Sequence, residues 1–295
     1  MADKLLGTDI AAPDLHAKIT GRAKYAEDFR APGMVFAKLL LSAMPHARVR
    51  GVDASRALAM PGVIDILRAS DVPSREGPRE ACLTDHPRFE GEPILAIAAV
   101  DEETAAAAIE LIEVDYEPLP FVLDPLESLR PSGPNAYPEG NAFGPDGWTE
   151  TKWTAEDFAR IDAGERPDPE CPTDWVKGDP GAAFAQSVLV LEETIVHQSL
   201  SHHPMEPRSN MAYWEGDHLF AFVSTQSTQQ TKFGLAGALD MDAENITLVA
   251  EYCGGGFGSK IAGSTVMQIP ALLSRKLGGT PVMHRITRYE ENYIG

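Results

Sequence analysis

The chain has 295 residues, 43% of them hydrophobic and 23% charged, with a formal net charge of −19. That length accommodates one large or two ordinary domains with a full hydrophobic core. The negative charge argues against nucleic acid and anionic membrane as partners, because both would repel it. Cys82, Cys171 and Cys253 stand far apart with no C-x-x-C pair, which argues against a disulfide framework, a zinc ribbon or an internal iron–sulfur site and fits a reducing compartment. The first residues carry no apolar leader or twin arginine, and no apolar run reaches membrane-spanning length. A cytoplasmic location is therefore expected.

Residues 1–20 read as a polar arm. From 21 to 130 strand-like and helix-like patterns alternate. Residues 34–41 form a near-continuous apolar run suited to a buried strand, and 49–53 follow it. The pattern predicts a helix over 54–59, with Asp53 or Ser55 as cap and Pro61-Gly62 as stop. Residues 63–67 and 93–100 read as strands, and Asp101 caps an alanine-rich helix that ends near Ile112. Val114 begins a further extended stretch. His46 and His86 have no partner at ligand spacing and read as ordinary histidines of surface or core.

Between 131 and 178 prolines, glycines and acids gather around Trp148, Trp153 and Trp175. The stretch reads as an ordered linker, helical only over 154–163, with Trp153, Phe158 and Ile161 as contacts. From 179 onward strands dominate, beginning with the aliphatic run 188–196. Residues 212–215 and 219–223 flank Gly216-Asp217 as a hairpin, and a helix is predicted over 228–239. His202, His203 and Glu206 invite a metal reading, but Pro204 breaks the helix that would bring them to one face.

Residues 246–250 read as a strand that runs into Cys253-Gly254-Gly255-Gly256-Phe257-Gly258-Ser259-Lys260. Beyond it Ile261, Thr265, Ile269 and Leu272 recur at helical spacing. Glycines at a helix N-terminus offer bare N–H groups to a flat or anionic ligand, with Lys260 as positive help. The Walker A pattern fails at Ser259 and Ile261, and the dinucleotide pattern fails at Ser259. A turn that binds nothing is the plain alternative, although four glycines around one aromatic exceed what a turn needs. Phe257 suggests a ligand with a non-phosphate part.

The run from Glu251 to Lys260 resembles the cofactor loop of molybdenum hydroxylases of the xanthine dehydrogenase/aldehyde oxidase family. Gly21-Arg22-Ala23-Lys24-Tyr25-Ala26-Glu27-Asp28 resembles the start of that family's large subunit. Met205-Glu206-Pro207 and Ser224-Thr225-Gln226 resemble its molybdenum-pocket segments, in the same order. The resemblance implies an α+β (mixed α/β) fold. Its expected parts are an arm (1–20), an α/β hammerhead-like domain (21–130), an extended linker (131–178) and the first part of a molybdopterin-binding domain (179–295).

It also implies a molybdenum cofactor, molybdopterin or its cytosine dinucleotide, with iron–sulfur clusters and FAD on partner chains. The implied reaction is oxidative hydroxylation of an aldehyde or N-heteroaromatic substrate, with water as oxygen source. By resemblance Gln226 is the glutamine beside the molybdenum oxo group, and Gly255, Gly256, Phe257 and Gly258 are the loop against molybdenum and pterin. Gln226 and Phe257 would contact the metal's surroundings without ligating it. Glu206 and Ile261 are the expected residues of the substrate pocket.

Two departures matter. Where purine-oxidising members carry a Glu after the loop's lysine, this chain has Ile261, which disfavours a purine. The family's catalytic Glu lies beyond the region matched, so no catalytic residue is assigned here. Either the large subunit is split, with a companion chain supplying the second half and the base, or the sequence is a truncated product; the split is the favoured expectation. A non-catalytic assembly module and a fragment of a carbon monoxide dehydrogenase-type large subunit are the alternatives.

Overall fold

Residues 93–99 are all buried, as a continuous apolar run demands when both faces of a strand are covered. The computed structural model describes residues 7–73, 81–144, 147–165, 176–191, 193, 195, 197 and 200–294. Cys171 and Trp175 lie outside the described residues, as does part of the run 188–196. The described strands are β1 (Val35–Leu41), β2 (Ala47–Asp53), β3 (Val63–Arg68), β4 (Pro93–Ala99), β5 (Glu113–Pro118), β6 (Ala142–Gly144), β7 (Gly147–Thr149), β8 (Ser209–Glu215), β9 (His218–Val223), β10 (Ile246–Val249) and β11 (Val282–Arg285).

One unit takes in Met1–Phe121 and Ser201–Gly295. Its seven-stranded sheet runs β10-β9-β8-β11-β1-β4-β3, drawing strands from both the early and the late part of the sequence. β1 and β11 pair in parallel, as do β9 and β10, and the other neighbours are antiparallel. The alternation of β4 serves two cores. Ala96 and Ala98 join the larger one, with Leu235 and Leu239 of the helix Thr228–Leu239 and Ile269 and Leu273 of the helix Gln268–Lys276. Ile97 and Ala99 face the smaller one, with Ala105 and Ala108 of the helix Glu102–Ile109.

Local signals set the boundaries. Asp101 accepts the Thr104 N–H at 2.7 Å and starts its helix, the N-cap bond that satisfies an otherwise unpaired donor. Gly216 and Asp217 close the β8–β9 hairpin. Asp240 takes a left-handed φ of 52° at the end of the helix Thr228–Leu239. β2 and β5 form a separate two-stranded ribbon. The two histidines without a partner at ligand spacing lie together in the fold: His46 Nε2 lies 3.3 Å from His86 Nε2 with stacked rings, and His46 Nδ1 is 2.7 Å from the Pro120 carbonyl.

The other unit covers Val122–Leu200. Its helix Ala155–Asp162 begins with a reciprocal cap between Thr154 and Asp157. Phe158 is its buried residue, with Trp153 at 6.0 Å and the Arg130 guanidinium over the ring at 4.3 Å. Trp148 of the β6–β7 hairpin stacks on Tyr137 at 3.9 Å. Asp179 caps a further helix, Pro180–Gln186. Residues 188–191 form no strand and are exposed.

One expectation near the glycine run is corrected. No helix starts there: the chain stays irregular past Lys260, makes a 3-10 turn over Thr265–Met267, and becomes helical only at Gln268–Lys276. Gly263 holds φ at 76°, and a β-carbon on it would lie 2.9 Å from Met267 Sδ and Thr231 Cγ2. That left-handed residue breaks the helical path that the spacing of Ile261 and Thr265 implied. The glycine run therefore has no helix dipole behind it.

Candidate functional site

β9, the helix Thr228–Leu239 and β10 form a strand–helix–strand unit whose parallel strands end side by side, with Phe222 opposite Val249. Segments leaving the carboxyl ends of neighbouring parallel strands meet in space. Here those segments are Ser224-Thr225-Gln226 and the glycine run, and Met205-Glu206-Pro207 joins them from before β8.

Gln226 is locked by its carbonyl end. Its Oε1 accepts the N–H of Gly258 at 3.1 Å and of Lys260 at 3.2 Å. The oxygen is engaged at an exposed residue, which leaves the amide NH2 as the donor end of the side chain. The main chain makes the same junction, since Gln226 N–H donates to the Lys260 carbonyl at 3.1 Å. A β-carbon on Gly256 would lie 2.2 Å from Gln226 Oε1, so any side chain here would have to displace the carboxamide.

Glu206 holds the start of the run. Its Oε2 accepts the Gly254 N–H at 2.6 Å, and its Oε1 accepts the Ala26 N–H at 3.4 Å. A β-carbon on Gly254 would meet the Glu206 β-carbon at 2.5 Å. Lys260, expected as positive help for an anion, is 0% exposed and points inward. Its Nζ donates to the Glu206 carbonyl at 2.5 Å and to Ser224 Oγ at 2.6 Å, and lies 3.4 Å from Glu206 Oε2. Behind it, Arg208 pairs with Glu291 and donates to the Ser259 carbonyl at 2.8 Å. Burial pushes the Arg208 guanidinium down from its ordinary value, and the Glu291 carboxylate opposes that shift.

The opposite face of the loop is open. Phe257 is 74% exposed and has a left-handed φ of 53°, unusual for a bulky residue. Gly255 and Gly258 have φ of 106° and 105°. Beyond Gly258 a β-carbon would meet only His202 Nε2, at 3.8 Å. Ile261 is 41% exposed, while His202 and His203 are exposed and Glu206 is buried. Among the described residues no group of three or more His, Cys, Asp or Glu could hold a metal ion.

The structure thus brings Gln226, Gly256, Gly258 and Glu206 into one bonded cluster and leaves Phe257 and Ile261 at its surface. Sequence reasoning missed the Lys260–Glu206–Ser224 contacts and the Arg208–Glu291 pair. The signal available for the first was a lone lysine closing a glycine run, which reads equally well as a ligand contact.

Residues 20–120 match the a/b hammerhead domain of aldehyde oxidase and xanthine dehydrogenase, and residues 164–294 match a molybdopterin cofactor-binding domain. The chain belongs to the xanthine dehydrogenase/aldehyde oxidase family of molybdenum hydroxylases. Within that family it is 33% identical to a probable xanthine dehydrogenase component of Bacillus subtilis, over 94% of this chain and 34% of the relative. It is 28% identical to the carbon monoxide dehydrogenase large chain of Afipia carboxidovorans, over 89% of this chain and 32% of that one. Reconstituted CO dehydrogenase from Oligotropha carboxidovorans superposes with a TM-score of 0.75 at 25% identity, over 97% of this chain and 35% of that chain. The chain therefore spans about a third of the length of these relatives. No described helix is long and apolar enough to cross a membrane.

Proposed function

We propose that this chain forms one wall of the molybdenum-cofactor pocket of an oxidoreductase. The observation that carries the reading is the Gln226 amide, locked by its oxygen onto the N–H groups of Gly258 and Lys260 in a glycine loop whose Phe257 is exposed. The loop's outward face fits a flat group: Gly258 leaves the backbone bare, and Phe257 adds an exposed apolar ring. Gly255, Gly256, Phe257 and Gly258 would hold the cofactor, as molybdopterin or its cytosine dinucleotide. When bound, that group supplies the redox chemistry of hydroxylation with water as oxygen source.

The remaining roles belong to the polypeptide. Gln226 donates a hydrogen bond to an oxygen of the reacting centre without adding charge. Phe257 excludes water from the loop. Glu206, with its oxygens engaged by Gly254, Ala26 and Lys260, serves the loop instead of contacting substrate. Ile261 offers an apolar surface, which favours an aldehyde or an N-heteroaromatic ring over a purine.

Sequence outside these 295 residues completes the pocket and supplies the general base that deprotonates the attacking water. A companion chain for the second half, an iron–sulfur subunit and an FAD subunit complete a cytoplasmic hetero-oligomer. The proposed domain organisation is a hammerhead-like part over 21–130, a linker over 131–178 and the cofactor-binding part from 179.

The structural match to CO dehydrogenase favours one second reading, a large-subunit segment of that type. Metal and pterin analysis of the complex purified with this chain tests the proposal. Molybdenum and pterin near one per chain support it, and absence of both makes the chain a non-catalytic assembly module.

A further inference from the structure

The proposed chemistry makes no use of the Lys260 ammonium, yet the side chain is 0% exposed. Burying a charge is costly unless it is paired and hydrogen-bonded, and an apolar side chain of similar volume is often as stable in such a place. Fold stability alone therefore does not explain a lysine here. Its bonds do. Nζ reaches the Glu206 carbonyl, Glu206 Oε2 and Ser224 Oγ, on two segments that flank the loop. The Lys260 N–H donates to Gln226 Oε1 at 3.2 Å, and its carbonyl accepts from Thr225 Oγ1 at 2.8 Å and Gln226 N–H at 3.1 Å.

We infer that Lys260 is a positioning residue for Gln226: by pinning the end of the glycine run to Glu206 and Ser224, it aims the Gln226 amide NH2 outward. The same carboxylate holds the start of the run through the Gly254 N–H. One ion pair thus fixes both ends of a loop whose interior carries three left-handed residues, Gly255, Phe257 and Gly258. At Phe257, the one non-glycine among them, such backbone persists only where its surroundings over-determine it. Without the Nζ anchor the end of the loop relaxes, Gln226 Oε1 loses its two donors, and the amide turns freely.

The consequence for turnover rests on the function proposed above; the aim of the amide is a property of the polypeptide and can be read without cofactor. The test is amide hydrogen exchange of the full chain, alone and in its complex, for the native protein and Lys260→Met. Exchange of the Gly258 amide and of the amide at position 260 is expected to rise about tenfold, the size of losing one hydrogen bond. Core amides of β1 and β4 should be unchanged, and the Gln226 side-chain amide resonance should shift toward that of a free carboxamide.

An unchanged Gly258 amide would overturn the inference. So would a rise spread evenly through β1 and β4, which would leave Lys260 a purely structural part. If Lys260→Met does not fold, Ser224→Ala, which removes one acceptor, is read at the same amides by the same criteria. In a molybdenum-loaded complex Lys260→Met should lower kcat with KM little changed. A complex without molybdenum would sink the proposed function and leave the exchange result standing.

Discussion

Gln226 Oε1 lies 2.2 Å from the point a β-carbon on Gly256 would occupy, so these two residues are fixed as a pair. Gly256→Ala should push the carboxamide off the Gly258 and Lys260 N–H groups. The loss of two hydrogen bonds amounts to about 1–3 kcal/mol. Thermal unfolding should show a modest fall in Tm, and the holo complex a larger fall in turnover. An alanine variant with native turnover would show that the amide need not stay where it is.

Gln226→Glu separates the holding role of this side chain from the donor role proposed for it. A carboxylate still accepts from Gly258 and Lys260, but it has no NH2 to donate. The variant should fold with native stability, and its kcat should drop by about 10²-fold, the scale of losing one preorganised donor. Steady-state kinetics on the purified complex reads the outcome.

Arg208 and Glu291 form a pair with 3% and 0% side-chain exposure. Removing one partner strands the other's charge in the interior, which costs about 3–5 kcal/mol. Glu291→Ala should therefore shift the denaturant midpoint strongly. Because Arg208 also bonds the Ser259 carbonyl, exchange at the end of the glycine run should rise as well.

His284 is 0% exposed on the central strand β11, and neither ring nitrogen has a hydrogen-bond partner among the described residues. Burial pushes it from its ordinary value down to about 3, and the Lys38 charge adds to the shift. The unfolded chain therefore takes up this proton first as pH falls below about 6.5. Its contribution to stability is full above that pH and is lost progressively toward pH 3, by up to about 4–5 kcal/mol. His284→Leu should flatten this acid limb in urea titrations between pH 6.5 and 4.

The parts legible in the sequence were those set by neighbours in the chain. Asp101 announces its helix through the Thr104 cap, and Gly216-Asp217 announces the β8–β9 hairpin. The helix over 228–239 stands at the expected bounds. What escaped depends on residues far apart. His46 and His86 meet across 40 positions, and Lys260 finds Glu206 across 54. A sequence also cannot say which way a charged side chain turns, so Lys260 read as a ligand contact when it is a buried anchor. The helix expected directly after Lys260 failed for a local reason, the left-handed Gly263.

The central claim is that the loop Gly255–Gly258 and the Gln226 amide face a pterin-bound molybdenum. A structure of the complex purified from its native host reads this directly. The account predicts the cofactor against the backbone of residues 255–258, with the Gln226 NH2 within hydrogen-bond distance of an oxygen at the metal. A loop facing bulk solvent, or packed only against protein side chains, would contradict it.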